Sequence, residues 1–214
     1  MDINKKLWSK KLDNYLLMDY IESFINIVAY KSITTAEHCI RVGEIALEIG
    51  KACSLSSKEM EDLFIGSMLH DIGKVFIPEK ILNKPNRLTE NEYKAIKEHS
   101  QDGYDFLFKC KHFRPAANII LHHHERYDGK GYPYGLKGSE IPFLSRIVSI
   151  ADSFDAMISI RPYKRTMSID EAAYEIEKNK NRHFDEEVAS TFLKIIHSNE
   201  FQKSIVNFTK GVVV

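Results

Sequence analysis

The sequence predicts an all-α protein with one main globular domain, and three features of the 214-residue chain favour that fold class. Apolar residues recur at helical spacing through most of the chain. Ser or Thr followed three residues later by Glu, the pattern of a helix-starting capping box, occurs before four of these stretches. No stretch gives a convincing strand. With 43% apolar residues, the chain can bury one sizeable core but hardly a second full domain.

Composition limits the partners and the compartment. Thirty basic residues balance thirty acidic ones, so no net charge attracts the chain to DNA or to anionic lipid. The three cysteines, Cys39, Cys53 and Cys110, form no CxxC pair, and their odd number argues against a disulfide framework. No signal peptide and no run of about 18 apolar residues is present. These observations predict a soluble cytoplasmic protein whose partner is recognised locally.

The first two predicted helices follow from an apolar stripe and a cap. Residues 13–30 carry a broad apolar stripe, which would cap the domain or pair with a second copy in a homodimer. Thr34 and Glu37 fit a capping box that starts a second helix, with His38 in its first turns. We therefore expect an N-terminal helical appendage at 1–30, a catalytic domain at 31–198 and a tail at 199–214.

The next helices end or begin near histidines. Ser56 and Glu59 start a third helix, which delivers His70 and Asp71 near its end, and Gly73 is expected to terminate it. Thr89 and Glu92 start another helix that leads to His99, and a helix over about 113–122 ends at the run HHHE. Gly129 and Gly131 follow in a loop whose backbone can approach a ligand closely.

A long buried helix is predicted over 142–160, and shorter helices follow it. Asp152 and Asp155 lie three residues apart in the long helix and therefore close together on its circumference. Ser168 with Glu171 is expected to cap the next helix, and Asp185 to cap the last one.

Seven histidine and aspartate side chains form the candidate site. A lone histidine on an apolar helix is more often a core residue than a ligand, but several unpaired groups near helix ends would each be costly to bury. A shared cation removes that cost. Nitrogen and carboxylate ligands without thiolate suit iron, manganese or zinc, and so many ligands predict two ions bridged by Asp71. The candidate ligands are His38, His70, Asp71, His99, His123, His124 and Asp152. Such a pair suits phosphoester hydrolysis.

Many motifs between about Thr35 and Phe184 resemble those of the HD-GYP family of cyclic dinucleotide phosphodiesterases, within the HD superfamily. They are HCIRV, LHDIGK, IPEKILNKP, LTENEYKAIKEH, HHERYDGKGYP, GLKGSEIP, RIVSIADSFDAM, RPYKR and HFDEE. The resemblance implies a helical bundle with a dinuclear centre of iron or manganese in its core and the GYP loop at its mouth. It also implies hydrolysis of cyclic di-GMP to linear pGpG, with continuation to GMP left open.

The resemblance carries roles to individual residues. It implies that the seven candidate ligands bind metal and that Lys74 lies at the scissile phosphate beside the catalytic Asp71. Tyr132 is implied as a ligand contact, and Arg161 and Lys164 as phosphate-binding residues, although each could be an ordinary surface side chain. Asp155 matches a family acidic residue, for which a substrate contact and a role behind the metal ligands stay open.

Two further features qualify the site. Glu125 and Asp128 are expected either to orient the ligand histidines from behind or to fix the loop. Family members with a third metal carry a glutamate four residues before the first histidine, where this chain has Thr34. We therefore expect two ions.

Two other functions remain in competition with cyclic di-GMP hydrolysis. One is a catalytically weak cyclic-dinucleotide sensor, against which the complete ligand set, Lys74 and the intact GYP argue. The other is an HD phosphohydrolase acting on another nucleotide, such as cyclic GMP-AMP, a triphosphate or an alarmone. The GYP segment and RPYKR argue against a simple triphosphate hydrolase.

Overall fold

The computed structural model of the chain describes residues 15–159 and 165–203, and over these residues the fold is helical. No strand occurs in these two segments, where only the isolated bridges Asp128–Lys137 and Lys180–Phe184 are present. The all-α prediction is confirmed. The α-helices are α1 Tyr15–Lys31, α2 Ile33–Ala52, α3 Ser57–Met68, α4 Glu79–Leu82, α5 Glu90–Lys97, α6 His99–Phe108, α7 Arg114–His122, α8 Phe143–Ile158, α9 Ile169–Lys178 and α10 Glu186–Ile195. Short 3-10 helices cover Ile72–Phe76, Lys111–Phe113 and Gly138–Glu140.

Four of the five helix caps predicted from the sequence are present. Ser56, Thr89 and Ser168 each form a complete capping box, and Asp185 accepts two backbone N–H groups at the start of α10. The predicted box at Thr34 is wrong. Ser32 caps α2 instead, because its hydroxyl accepts the backbone N–H of Thr35 at 3.3 Å, and the helix therefore begins two residues earlier.

Two hydrophobic clusters make up the core, and α2 contributes to both. The first cluster joins α1 to parts of α3, α6 and α7, and α2 contributes Ala36, Cys39 and Leu47 to it. The second cluster joins α8, α9 and α10 and includes Phe201 of the predicted tail, and α2 contributes Val42, Ile45, Ala46 and Ile49 to it. His38 lies on α2 near the junction of the clusters, so the candidate ligands are positioned by the core itself.

The apolar stripe of α1 is buried in this chain. Leu17, Met18, Ile21, Ile25 and Val28 all lie in the first cluster, each 3% exposed or less, so the described part of the predicted appendage belongs to the core. The homodimer stays a prediction, and its interface would have to be formed by the outer side of α1. Exposed apolar side chains there are Leu16, Tyr20, Ile27 and Tyr30.

Gly73 does not terminate α3, as the sequence suggested. That helix ends at Met68, and Gly73 lies inside the 3-10 helix that follows His70 and Asp71. A Cβ at Gly73 would come 1.9 Å from the backbone oxygen of His99, so only glycine lets these two backbone segments touch. His99 is the first residue of α6, and Glu98 separates it from the end of α5. It therefore does not lie at the end of the helix that begins after Thr89.

Within the two described segments, no helix is both long enough and apolar enough to cross a membrane.

Candidate metal centre

All seven predicted ligands lie together, in two groups drawn from five parts of the chain. His38 comes from α2, His70 and Asp71 from the turn after α3, His99 from the first residue of α6, His123 and His124 from the end of α7, and Asp152 from α8. Their candidate ligand atoms lie within 4.8 Å of one another in each group. The first group is Asp71, His99, His123 and His124, and the second is His38, His70 and Asp152.

Asp71 stands between the two groups. Its Oδ1 lies 3.3 Å from His99 Nε2, and its Oδ2 lies 3.5 Å from His70 Nε2 and 4.0 Å from His38 Nε2. One carboxylate oxygen therefore faces each group, which is the position that a bridging ligand requires.

Three histidine rings are oriented by main-chain carbonyls. The Nδ1 atoms of His70, His99 and His123 each lie 2.7 Å from the carbonyl oxygen of the residue three positions earlier. A carbonyl only accepts, so each Nδ1 carries the proton and each Nε2 of the neutral ring offers a lone pair. Metal-binding histidines are commonly held in this way.

These lone pairs face one another across short distances. His99 Nε2 lies 3.4 Å from His123 Nε2 and 3.3 Å from Asp71 Oδ1, so three acceptors are gathered at one place, with the Ser100 hydroxyl 3.4 Å from His99 Nε2 as a donor. His70 Nε2 and Asp71 Oδ1 are both buried and make no hydrogen bond. Leaving such atoms unpaired costs about 1–3 kcal/mol each, and a divalent cation would satisfy them. The donor set therefore fits metal ions.

Burial keeps most of the rings neutral. It lowers the pKa of His99 to about 4 and that of His124 to about 3, while burial and neighbouring histidines hold the pKa of His123 well below its usual value. Neutral imidazoles are the form that binds metal. Asp71 is ionised, because burial raises its pKa but Lys74 and the nearby histidines lower it further.

Cys39 also lies near Asp71 and His70, within the same 4.8 Å limit. Its side chain is fully buried, and burial, together with the charge of Asp71, raises the pKa of its thiol well above the usual value. A protonated thiol is a poor metal ligand. The nitrogen and oxygen donor set predicted from the sequence is therefore the one that the site offers.

His38 is held differently, by a carboxylate. Its Nδ1 lies 2.6 Å from Asp155 Oδ2, and Asp155 is fully buried. Arg41 and Ser159 donate to Asp155 Oδ1 at 2.6 Å and 3.0 Å. Of the two roles left open for Asp155, these contacts favour the one behind a candidate metal ligand.

The carboxylates around His38 favour its protonated form, in contrast to the neutral rings of the first group. Burial lowers the pKa of His38, but hydrogen bonds to Asp152 and Asp155 raise it to about 9. Burial raises the pKa of Asp155, whereas His38 and Arg41 lower it to about 2, so this carboxylate is ionised. Arg41 was not predicted as a site residue, although it belongs to the motif HCIRV and lies three residues after His38, on the same side of α2.

Lys74 lies beside Asp71, and its predicted place at the scissile phosphate stays a prediction. Its Nζ donates to Asp71 Oδ2 at 2.5 Å, and its side chain is 23% exposed. Burial lowers its pKa, but the attraction of Asp71 outweighs burial and raises it, so the ammonium is charged. A protonated amine therefore stands beside the carboxylate that faces both groups.

Tyr132 covers one side of the first group. Its ring centroid lies 4.8 Å from that of His124, with 31° between the planes, and its bond to Pro133 is cis. Lys97 Nζ lies 5.6 Å from the centroid of the Tyr132 ring and 5.1 Å from that of Tyr93. Lys97 was also not predicted as a site residue, although it lies in the motif LTENEYKAIKEH, two residues before His99.

Glu125 and Asp128 fix the loop rather than orient the histidines. The buried Glu125 carboxylate accepts the backbone N–H groups of Tyr134, Gly135 and Leu136. Asp128 accepts from Arg126 and from the backbone N–H of Lys130. Of the two alternatives left open for them, these contacts favour fixing the loop, and four of the ligand rings are held by carbonyls or by Asp155.

Gly131 serves the same loop. A Cβ there would lie 2.3 Å from the backbone nitrogen of Arg126, so the glycine lets the loop fold back onto its own start. The close approach predicted from this glycine is therefore to the protein backbone. Arg161 and Lys164, the predicted phosphate-binding residues, lie outside the described residues.

Curated relatives match most of this chain. A cyclic di-GMP phosphodiesterase of Thermotoga maritima is 39% identical over 84% of the chain, and the response regulator RpfG of Xanthomonas campestris, named as a cyclic di-GMP phosphodiesterase, is 37% identical over 78%. A phosphodiesterase of Vibrio cholerae named as specific for 3'3'-cGAMP is 36% identical over 87%. The chain spans about half or less of these relatives, namely 49%, 45% and 40% of their lengths.

Solved structures share the fold. The V. cholerae cyclic GMP-AMP phosphodiesterase V-cGAP3 matches with a TM-score of 0.67 at 24% identity, over 86% of this chain and 50% of that one. The HD domain of the Listeria monocytogenes phosphodiesterase PgpH, solved with cyclic di-AMP, matches with a TM-score of 0.61 at 18% identity, over 90% and 99%. A protein-family model described as HD domain matches residues 22–188. The chain therefore belongs to the HD domain family, as its motifs predicted.

Proposed function

We propose that this chain is a metal-dependent phosphodiesterase that opens cyclic di-GMP to linear pGpG. The observation that carries the proposal is the convergence of unprotonated histidine nitrogens on a buried, ionised Asp71 with a protonated Lys74 beside it. Relatives named as cyclic di-GMP phosphodiesterases, 35–39% identical to this chain, support the same substrate. Release of GMP by a second cleavage stays a prediction.

We assign one divalent ion to each ligand group, iron or manganese, with Asp71 shared between them. Bound there, the ions would activate water and offset charge on the phosphoryl group. The ligand set itself supports this assignment, because imidazole and carboxylate suit both metals. Thr34, which has no carboxylate, supports two ions rather than three. Metal analysis of protein purified without oxygen tests the number, and three tightly held ions per chain would contradict it.

Other residues of the chain prepare the centre for a phosphodiester. Lys74 Nζ brings a positive charge and a proton to the side of Asp71, where it can stabilise the phosphoryl oxygens and protonate the leaving oxygen. Tyr132, stacked on His124, forms one wall of the site. We propose Arg161 and Lys164 as further phosphate contacts, on the strength of their motif positions alone.

Cyclic GMP-AMP is a second candidate substrate. The observation in its favour is the 36% identity to a V. cholerae phosphodiesterase named as specific for that molecule. Both candidates contain guanine, and both would place one phosphodiester at the same metal centre. We place the enzyme in the cytoplasm, in keeping with its three free cysteines.

Product analysis tests the proposal. Protein purified anaerobically is supplied with iron or manganese, incubated with cyclic di-GMP or cyclic GMP-AMP beside an Asp71→Ala variant, and the products are separated by chromatography. Linear dinucleotide from the wild type alone would support the phosphodiesterase. Binding of the cyclic dinucleotide without product would favour the sensor function, and no binding would point to another nucleotide.

A further inference from the structure

We propose that a small cavity beside the metal centre, the α8–α9 pocket, binds one guanine base of the substrate. This inference rests on the proposed function and adds a site of base recognition to it. The pocket has a volume of about 240 Å³ and lies between α8 and the segment from α9 to α10. Pockets that enclose a whole ligand usually measure about 300–1,000 Å³, so this one suits a single flat ring system.

The pocket adjoins the candidate metal centre. Ser153, one of its lining residues, directly follows the candidate ligand Asp152 on α8. The charge of Asp152 acts on the pKa of His183, another lining residue, so the two lie within electrostatic reach. The GYP loop is tied to the same segment, because the backbone N–H of Tyr127 donates to the His183 carbonyl at 3.1 Å. On this proposal, a nucleotide cleaved at the centre places one base in the pocket.

The walls of the pocket suit an aromatic ring. Ala156, Met157 and Phe184 supply apolar surface, and Ser153 and Ala156 are small enough to leave room above α8. The His183 ring stacks on that of Phe184, with centroids 4.4 Å apart and 5° between the planes. Burial and the nearby Arg126 lower the pKa of His183 to about 4, so this ring is neutral and adds no charge against a base.

The charged side chain among the lining residues of the pocket is an acceptor. Glu175 lines it, and its carboxylate makes no hydrogen bond or ion pair with the described residues. The Asn179 amide donates one of its two N–H groups to the Glu175 backbone oxygen at 2.8 Å, and its side-chain oxygen is a further acceptor. Guanine presents two adjacent donors on its Watson–Crick edge, N1–H and the N2 amino group, whereas adenine presents an acceptor at N1. A carboxylate therefore selects guanine.

Substrate selectivity tests this site. The Glu175→Gln variant keeps the size of the side chain but replaces one acceptor oxygen with a donor. We expect the ratio of kcat/KM for cyclic di-GMP over cyclic di-AMP to fall about tenfold or more, mainly through KM for cyclic di-GMP. Glu177→Gln is the matched control, because Glu177 lies on the same helix and faces solvent. Its carboxylate forms an ion pair with Lys180. An unchanged ratio in Glu175→Gln overturns the proposal.

A second variant and a binding measurement keep the test independent of turnover. Ala156→Leu fills the pocket and is expected to raise KM for cyclic di-GMP at least tenfold, with metal content checked as a sign of correct folding. Calorimetric dissociation constants for both cyclic dinucleotides are measured alongside. If the wild type binds both cyclic dinucleotides but does not cleave them, only the proposed function fails. The effect of Glu175→Gln on the ratio of the two dissociation constants then still tests the guanine site. If it binds neither, both proposals fail.

Discussion

The two ligand groups around Asp71 are held in place by different means. At His99 and His123 of the first group, and at His70 of the second, main-chain carbonyls fix the rings, so their orientation follows once the helices have formed. His38 depends on the side chain of Asp155, which depends in turn on Arg41 and Ser159. A substitution outside the ligands can therefore disturb the second group, whereas the first group has few side-chain supports to remove.

The largest effect is expected from Asp71→Asn, which removes the carboxylate charge shared by both groups. Activity should fall by at least about 10²–10³-fold, since the negative charge that binds both ions is lost. Metal content by plasma mass spectrometry should drop at both groups, whereas Asp102→Asn, an acidic position elsewhere on α6, should leave it unchanged. Retention of both ions in Asp71→Asn would show that Asp71 is not shared.

Lys74→Met should come next, with a fall in kcat of about 10²–10⁴-fold, because a charged proton donor is lost while the ligands stay in place. Metal content should be close to that of the wild type, which separates this variant from those that empty the centre. Lys74→Arg keeps the charge but gives up the proton less readily, so it should recover only part of the loss. Full activity in Lys74→Met would show that Lys74 is not needed for the chemical step.

Asp155→Asn tests the contrast between the groups directly. Loss of the carboxylate that holds His38 Nδ1 should weaken metal binding at the second group about 10–100-fold, the range typical of residues behind metal ligands. One ion should be lost first when a chelator is titrated in. Arg41→Met should give the same pattern more weakly. Equal loss from both groups would mean that the support of His38 is not local.

Glu125→Gln should affect stability more than chemistry. The carboxylate accepts three loop N–H groups, and its replacement brings an amide donor against them, at a cost of about 1–3 kcal/mol in the free energy of unfolding. Urea denaturation measures this change. Glu200→Gln, at an exposed position in another part of the chain, is the control. A loss of bound metal in the folded variant would instead tie Glu125 to the ligand rings.

The smallest effect is expected from Lys97→Ala. Its ammonium lies over the rings of Tyr132 and Tyr93, a contact worth about 0.5–1 kcal/mol at an exposed site. We expect KM for the cyclic dinucleotide to rise a few-fold with little change in kcat. Lys94→Ala on the same helix should have no effect. A large fall in kcat would place Lys97 at the reacting phosphate.

Local sequence patterns predicted much of this structure. Three capping boxes and the Asp185 cap were found where expected, because a cap depends on residues three or four positions apart. The seven candidate ligands were also found together, since each stands at a helix end or on a buried helix face and the family motifs keep their order. Thr34 failed as a cap because Ser32 could serve the same helix earlier.

Contacts between distant parts of the chain were not predictable in this way. Arg41 and Asp155 are 114 residues apart, and nothing in either segment states that they meet. Glu125 illustrates a second limit, because a carboxylate beside ligand histidines could serve either the rings or the loop, and only the path of residues 134–136 decides. Arg161 and Lys164 lie outside the described residues and stay predictions.

Gly73 shows that the metal chemistry of this chain is constrained at a residue with no side chain to bind with. At Gly73 the segment that carries Asp71 touches the start of α6. Because glycine has no side chain, the two backbones come close enough for Asp71 Oδ1 to lie 3.3 Å from His99 Nε2. Even one methyl group there would push the segments apart, and ligand distances tolerate only about 0.2 Å. Engineering a different metal preference into this centre therefore has to leave that glycine untouched.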